Sequence, residues 1–287
     1  MIAIFKRELK AYFNTPVGFI FMGFLLLISG VFFTTINLFQ ASPNYNGLLD
    51  TITFVFMLVV PILTMRLLAE EAKLKTDQLL LTSPVSVTDI VVGKYLAAVA
   101  VFLITLLVTC IYPFLLNFFG YIPVAQIFSA YLGFFLLGAS FTAVGLFISA
   151  CTENQVVAAV ATFTTLLLIW IVDLIQQTLP NSTSAGIVFV GLIVLGLAFF
   201  TYNATKNRYL SLIILLVGAV GIAAVYGIDR SAFDGIILKV VDWFSLYRRY
   251  YSFSQGNLSL SGLVYYVSFA AAFVFLTVQK IEKRRWS

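Results

Sequence analysis

At 287 residues, 61% hydrophobic and 10% charged, the chain carries far more apolar side chain than a soluble core can hide, since ordinary soluble domains are about 25% charged. Histidine is absent and the two cysteines, Cys110 and Cys151, lie in or beside separate apolar runs, which excludes a metal cluster and a disulfide framework. The net charge of +5 is distributed over the ends of those runs, a pattern suited to lipid headgroups and not to a nucleic-acid groove.

In chain order, Ile2 to Asn14 sets Ile2, Phe5, Leu9, Tyr12 and Phe13 on one side and Lys6, Arg7, Lys10 and Asn14 on the other. Residues 1–16 are therefore expected to form an amphipathic helix in the interface plane. A cleaved leader fits less well, because the apolar run after Pro16 exceeds the usual 7–15-residue core and no A-x-A site follows. A spanning helix needs about 20 apolar residues; the first is expected at Val17–Leu38 and the second at Thr51–Leu68.

The segment 66–94, RLLAEEAKLKTDQLLLTSPVSVTDIVVGK, is the one long charged piece in the middle of the chain. A helix is expected from Arg66 to Leu81, extending the second span outward. Pro84 lacks an amide N–H and pushes Ser83 out of the helical region, which breaks the helix at Thr82-Ser83-Pro84. Ser86, three residues ahead of Asp89, has the spacing of a new helix start. Leu79, Leu80, Leu81 and Val85 leave an apolar elbow with nothing inside the segment to cover it, so the elbow is expected to dock a partner.

Residues 95–152 are uncharged, too long for one span, and contain a turn signal at Asn117–Pro123, so they divide into helices at about 95–118 and 126–150. Cys151 to Gln155 forms a tight turn in which Thr152 or Asn154 caps the next helix, expected at 156–179. Spans at 185–204 and 209–228 flank the basic turn Lys206-Asn207-Arg208; a re-entrant hairpin is the alternative for this pair. An irregular extracytoplasmic segment, 229–262, precedes the last span at 263–279 and the tail KIEKRRWS. The fold class is thus an all-α polytopic membrane protein of about eight spans in a single transmembrane domain, 1–287. With both termini cytoplasmic, 13 of the 17 Lys and Arg residues face the cytosol and the short outer loops carry none, as the positive-inside rule requires.

Catalytic apparatus is missing. Gly93-Lys94 lacks the earlier glycine of a phosphate loop, and no H-E-x-x-H, C-x-x-C or G-x-S-x-G occurs. The chain is read as not an enzyme, with no cofactor and no metal of its own.

The string EEAKLKTDQLLLTSPVSVTDIVVGKYLA resembles the cytosolic segment of ABC-2-type transporter permeases, in particular the gliding-motility-associated family. FKRELKAYFNTPVGF resembles that family's interfacial helix, PILTMRLLAEE its second span, GLFISACTENQVVAAV its turn between the fourth and fifth, and Tyr247–Gly256 with the basic tail its C-terminus. The resemblance implies an ABC-2 (type V exporter-like) transmembrane domain in the bacterial inner membrane. It also implies that Lys75, Thr76, Asp77, Gln78, Leu79, Leu80, Leu81, Thr82, Ser83, Pro84 and Val85 form a coupling helix docked on a separate ABC ATPase subunit. ATP and Mg would be held by that subunit, and a second permease copy or a related permease would complete the path. An accessory extracytoplasmic subunit and membrane lipids are the other expected partners; nucleic acid is not one. Two other classes remain open at this point: a membrane scaffold that uses the elbow only for docking, and an ion-driven secondary transporter, which would want more buried ionisable groups.

Asp173 interrupts an apolar span. Its proximity to the span's outer end favours a water-reached position over an intramembrane functional one. Ala139-x-x-x-Ala143 and Gly145-x-x-x-Ser149 permit close helix approach, within the chain more readily than at a seam between copies. Phe233, Ile236, Ile237, Val240, Val241 and Phe244 beside Asp234, Lys239 and Asp242 give an amphipathic outer helix, lying on lipid or gating an exit.

Overall fold

The computed structural model describes residues 1–40, 44–76, 85–118, 122–176, 182–206, 208–228 and 233–286. Among them every regular element is a helix: α1 Ile2–Asn14, α2 Pro16–Phe32, α3 Tyr45–Thr64, α4 Ala69–Leu74, α5 Val87–Thr109, α6 Ile111–Leu116, α7 Val124–Cys151, α8 Gln155–Gln176, α9 Thr183–Thr205, α10 Arg208–Ile228, α11 Ile236–Phe244, α12 Tyr247–Ser254 and α13 Leu260–Trp286. Phe33–Leu38 continues α2 as a π-helix. Eight of the helical stretches are long and apolar enough to cross a membrane, in agreement with the sequence. The chain forms two compact units, Met1–Ile169 with Leu246–Ser287, and Trp170–Ser245.

In the first unit the break between α1 and α2 has a local cause. Thr15 precedes Pro16 and is extended (φ −112°, ψ 155°), and the proline takes the first helical position, where its missing N–H costs nothing. Helix α7 is the axis of this unit, with α3, α5, α12 and α13 packed on it. Its centre is an aromatic cluster: Phe56 of α3 lies 4.6 Å from Phe102 of α5 and 5.3 Å from Phe134 of α7, centroid to centroid. Lipid tails are as apolar as these rings, so the cluster holds by close packing rather than by escape from water.

Gly138 of α7 makes that packing fit. A methyl group there would lie 2.3 Å from the Phe102 ring and 3.0 Å from the Phe56 ring. Gly138→Ala is expected to destabilise the unit by about 1–3 kcal/mol, read as a lowered unfolding temperature in detergent. Gly23→Ala, at a glycine with no neighbour within 4 Å, is the matched control and should be neutral or slightly stabilising.

Several boundaries differ from the sequence reading. The charged helix expected over Arg66–Leu81 is not continuous with the second span: α3 ends at Thr64, residues 65–68 form turns, and α4 stops at Leu74. Lys75 adopts a left-handed conformation (φ 56°), and the Thr76 amide returns to the Glu71 carbonyl, a C-terminal cap that closes the helix. The third span begins at Val87 and not near 95, because the helix started by Ser86 runs unbroken into the apolar stretch; Ser86 Oγ accepts from the Asp89 amide at 3.0 Å. Asn154, rather than Thr152, caps α8, its Oδ1 accepting from the Val156 amide at 2.9 Å. The segment 229–262, expected to be irregular apart from an amphipathic helix over 233–244, holds α12 in addition to α11.

The second unit contains the end of α8 with α9, α10 and α11. Helices α9 and α10 pack on each other, Ser211 Oγ donating to the Ala198 carbonyl at 2.7 Å and Val194 lying against Gly218. At 23 and 21 residues they are about 35 and 32 Å long, each long and apolar enough to cross a membrane, as the two-span alternative requires. Helix α11 folds back on the start of α9: Thr183 donates to Asp234, and the Phe233 carbonyl sits over Gly186. Ile236, Ile237, Val240 and Val241 are half-buried and Lys239 is exposed, the amphipathic division the sequence predicts.

Candidate functional site

Helices α4 and α5 flank residues 77–84 of the charged segment, and a group of ion pairs ties the two helices together. Lys94, eight positions into α5, is 2% exposed. Its ammonium meets Glu71 of α4 at 2.8 Å and Glu8 of α1 at 3.3 Å. Arg7 closes the ring from α1, 2.6 Å from Glu8 and 3.5 Å from Glu71. Ile4, one turn before Glu8, packs over Gly93, one residue before Lys94. A lysine this buried is tolerated only when paired, and here the pairing joins three separate elements.

Beneath the ring is the joint between α3 and α4. The Leu67 amide bonds to Thr64 and not to Leu63, so the helical ladder is broken and neighbouring polar backbone groups need outside partners. Tyr12 of α1 supplies one, its hydroxyl donating to the Leu63 carbonyl at 2.8 Å. Ser149 of α7 supplies the rest: its Oγ accepts from the Leu68 and Ala69 amides, both at 3.1 Å, and donates to the Met65 carbonyl at 3.3 Å. Gly145, one turn earlier, has no room for a side chain, since a methyl there would come within 2.3 Å of Thr64 Oγ1. The Gly145-x-x-x-Ser149 spacing thus serves contact within the chain, letting α7 come close enough to staple the break. Burial, with the Glu8 carboxylate adding to it, holds the Tyr12 phenol far above its ordinary value, so it remains a donor throughout the physiological range. A cleft of about 230 Å³ opens beside the joint, lined by Tyr12, Arg66, Glu70, Glu71 and Lys94.

Of the residues the sequence assigns to docking, Lys75 and Thr76 are exposed at the end of α4 and Val85 is half-buried just before α5. Asp77, Gln78, Leu79, Leu80, Leu81, Thr82, Ser83 and Pro84 lie outside the described residues. Leu74, 63% exposed, adds an apolar side chain to the same end. On α1, Lys6 and Lys10 are exposed, the placement expected of headgroup contacts, whereas Arg7 belongs to the ion-pair ring. Asp173 is half-buried in the second unit, at the end of the apolar stretch Gln155–Leu174, with both carboxylate oxygens turned away from the surface.

Sequence reasoning missed Glu8 and Lys94, and took Ser149 only as a small residue that permits close helix approach. The signal for Glu8 was there: with Ile4 and Tyr12 it recurs every four residues, a carboxylate inside an apolar seam. It also missed a polar clasp at the opposite end of the first unit. There the Ser254 carbonyl at the end of α12 accepts from Asn46 Nδ2 of α3 and, at 3.3 Å, from Gln126 Nε2 of α7, while Ser254 Oγ donates to Asp50 Oδ2 at 3.1 Å. Three helices are therefore gripped at one residue.

Together these groups form a hydrogen-bonded joint beneath a ring of ion pairs. Residues 33–193, more than half the chain, match the family described as ABC-2 family transporter protein. No curated protein matches the chain. The matched region runs from the end of the first span, through the charged segment and the Ser149 staple, into α9, so the elements that build the joint lie largely inside it: the chain is an integral membrane permease and belongs to the ABC-2 transporter family.

Proposed function

We propose that this permease couples ATP hydrolysis by a separate ABC ATPase subunit, which binds ATP and Mg, to movement of a substrate across the bacterial plasma membrane, and that residues 75–85 are where the ATPase docks. Eight crossings return both ends to one face, and the distribution of Lys and Arg assigns that face to the cytosol. The observation that carries the reading is buried Lys94. Because it binds Glu71 and Glu8 together, a force applied to the segment between α4 and α5 moves α1, α4 and α5 as one body instead of bending the loop, and packed interiors pass such a displacement on. The break at 65–68, bridged by the Ser149 hydrogen bonds, supports a relay from a short lever, α4, into α7. Two permeases, identical or related, flank the path, as in the gliding-motility-associated subfamily that the segment resembles. The clasp at Ser254 gives an accessory extracytoplasmic subunit a defined end of the bundle to act on.

Affinity purification of the tagged chain from its native membranes in mild detergent, with mass spectrometry and an ATPase assay, tests the reading. An ATPase subunit and its activity should copurify with the wild type and be lost with Leu80→Asp/Leu81→Asp. Recovery of the intact, folded chain without any nucleotide-hydrolysing partner overturns it and moves the scaffold and ion-driven readings forward.

A further inference from the structure

A second polar cleft lies at the turn between α7 and α8. It has a volume of about 270 Å³ and is lined by Cys151, Thr152 and Glu153 from the turn and by Lys280, Lys283 and Arg284 from α13. The three cations fall at the i, i+3, i+4 spacing that gathers them on one helix face, and all three are exposed. Glu153 pairs with Arg284, which leaves the cleft with two cations more than its own carboxylate neutralises. Such an excess on the wall of a cleft is a site for an anion.

The level of the cleft identifies which anion. The apolar stretches Val124–Cys151, Gln155–Leu174 and Leu260–Arg284 all end at it, so it sits at the depth of lipid phosphates. On the same two helices, within about two turns of the cleft, the side chains are apolar and bare: Val156, Val157 and Val160 on α8, Phe275 and Leu276 on α13. An acidic peptide would satisfy the lysines and leave that apolar surface unused; a phospholipid brings a phosphate and acyl chains together. We propose that the Cys151–Arg284 cleft binds the phosphate of an anionic phospholipid headgroup, with Lys280 and Lys283 as its ligands and Glu153 holding Arg284 partly in reserve. This site is independent of which subunit docks on residues 75–85.

Cys151 provides the readout, being an exposed thiol on the cleft wall. The rate of N-ethylmaleimide labelling is measured in Cys110→Ser protein reconstituted in nanodiscs of phosphatidylglycerol or of phosphatidylcholine. Cys110 in Cys151→Ser protein, exposed and away from the cleft, reports any general effect of a charged bilayer. Phosphatidylglycerol is expected to slow labelling of Cys151 several-fold and to leave Cys110 unchanged. Lys280→Gln/Lys283→Gln should abolish the protection, each lysine weakening headgroup binding about five-fold. Glu153→Gln, which releases Arg284, should shift protection to lower phosphatidylglycerol content. Equal labelling in the two lipids, or protection that survives loss of both lysines, overturns the site. Protection by inorganic phosphate alone at millimolar concentration in detergent assigns the cleft to a free phosphate and overturns the lipid assignment.

Discussion

Lys94→Met is expected to cost about 3 kcal/mol of stability, the typical penalty for removing one partner of a buried ion pair. The loss comes less from the attraction surrendered than from Glu8 and Glu71, each under 20% exposed, which are left sharing only the half-exposed Arg7. Thermal unfolding in detergent should show the drop, and Glu71→Gln in the same background should recover part of it by removing one of the stranded carboxylates. Converting the three buried members of the ring to apolar residues, Glu8→Leu/Glu71→Leu/Lys94→Met, with the half-exposed Arg7 left to solvent, should return stability close to wild type, since a well-packed apolar replacement of a buried ion pair is often neutral or better. Substrate-linked ATPase stimulation should remain low in the triple variant if the ring acts as a geometric clamp on α1, α4 and α5. A triple variant that regains both stability and full coupling would show that the ring only fills space.

The spans were readable from the sequence because their signal is one-dimensional: a run of apolar residues long enough to cross a membrane is a membrane helix whatever its neighbours do. Caps were readable for the same local reason, as at Ser86 and Asn154. The joint was not. Ser149 looks like one more small residue on an apolar helix, and its role depends on the backbone of residues 65–69, some 80 positions away. Lys94 looked like a charge marking a loop end, and only the packing of α1 across α5 turns it into a buried group. The continuous rod expected over Arg66–Leu81 failed for a related reason. Helix propensity favours continuation through Met65–Leu68, but Ser149 and Tyr12 offer the broken ladder partners that a straight helix would have left unused. The clasp at Ser254 escaped because it converges on a backbone carbonyl, which no residue type announces.

Ser149→Ala tests the joint directly and is expected to cost about 3 kcal/mol or more, since two buried amides and a carbonyl lose their partner and each bare backbone group costs about 1–3 kcal/mol. Tyr12→Phe, which removes one bond to the same break, should cost about 1 kcal/mol. Ser149→Cys, keeping a weak donor and acceptor of similar shape, should fall between wild type and alanine. The functional signature separates this residue from the docking segment. Leu80→Asp/Leu81→Asp should release the ATPase altogether, whereas Ser149→Ala should retain the bound ATPase and its basal hydrolysis while transport per ATP falls, because α4 can then flex at residues 65–68 without moving α7. The staple has a second consequence. With its hydrogen bonds intact, α4 cannot pivot without pulling on the axis of the first unit, and α7 carries the clasp at Ser254 through Gln126 at its far end. A double variant, Ser149→Ala with Gln126→Leu, should therefore lose no more coupling than Ser149→Ala alone if the two sites lie on one mechanical path. Additive losses would place the clasp on a separate path and leave the joint without a route across the membrane.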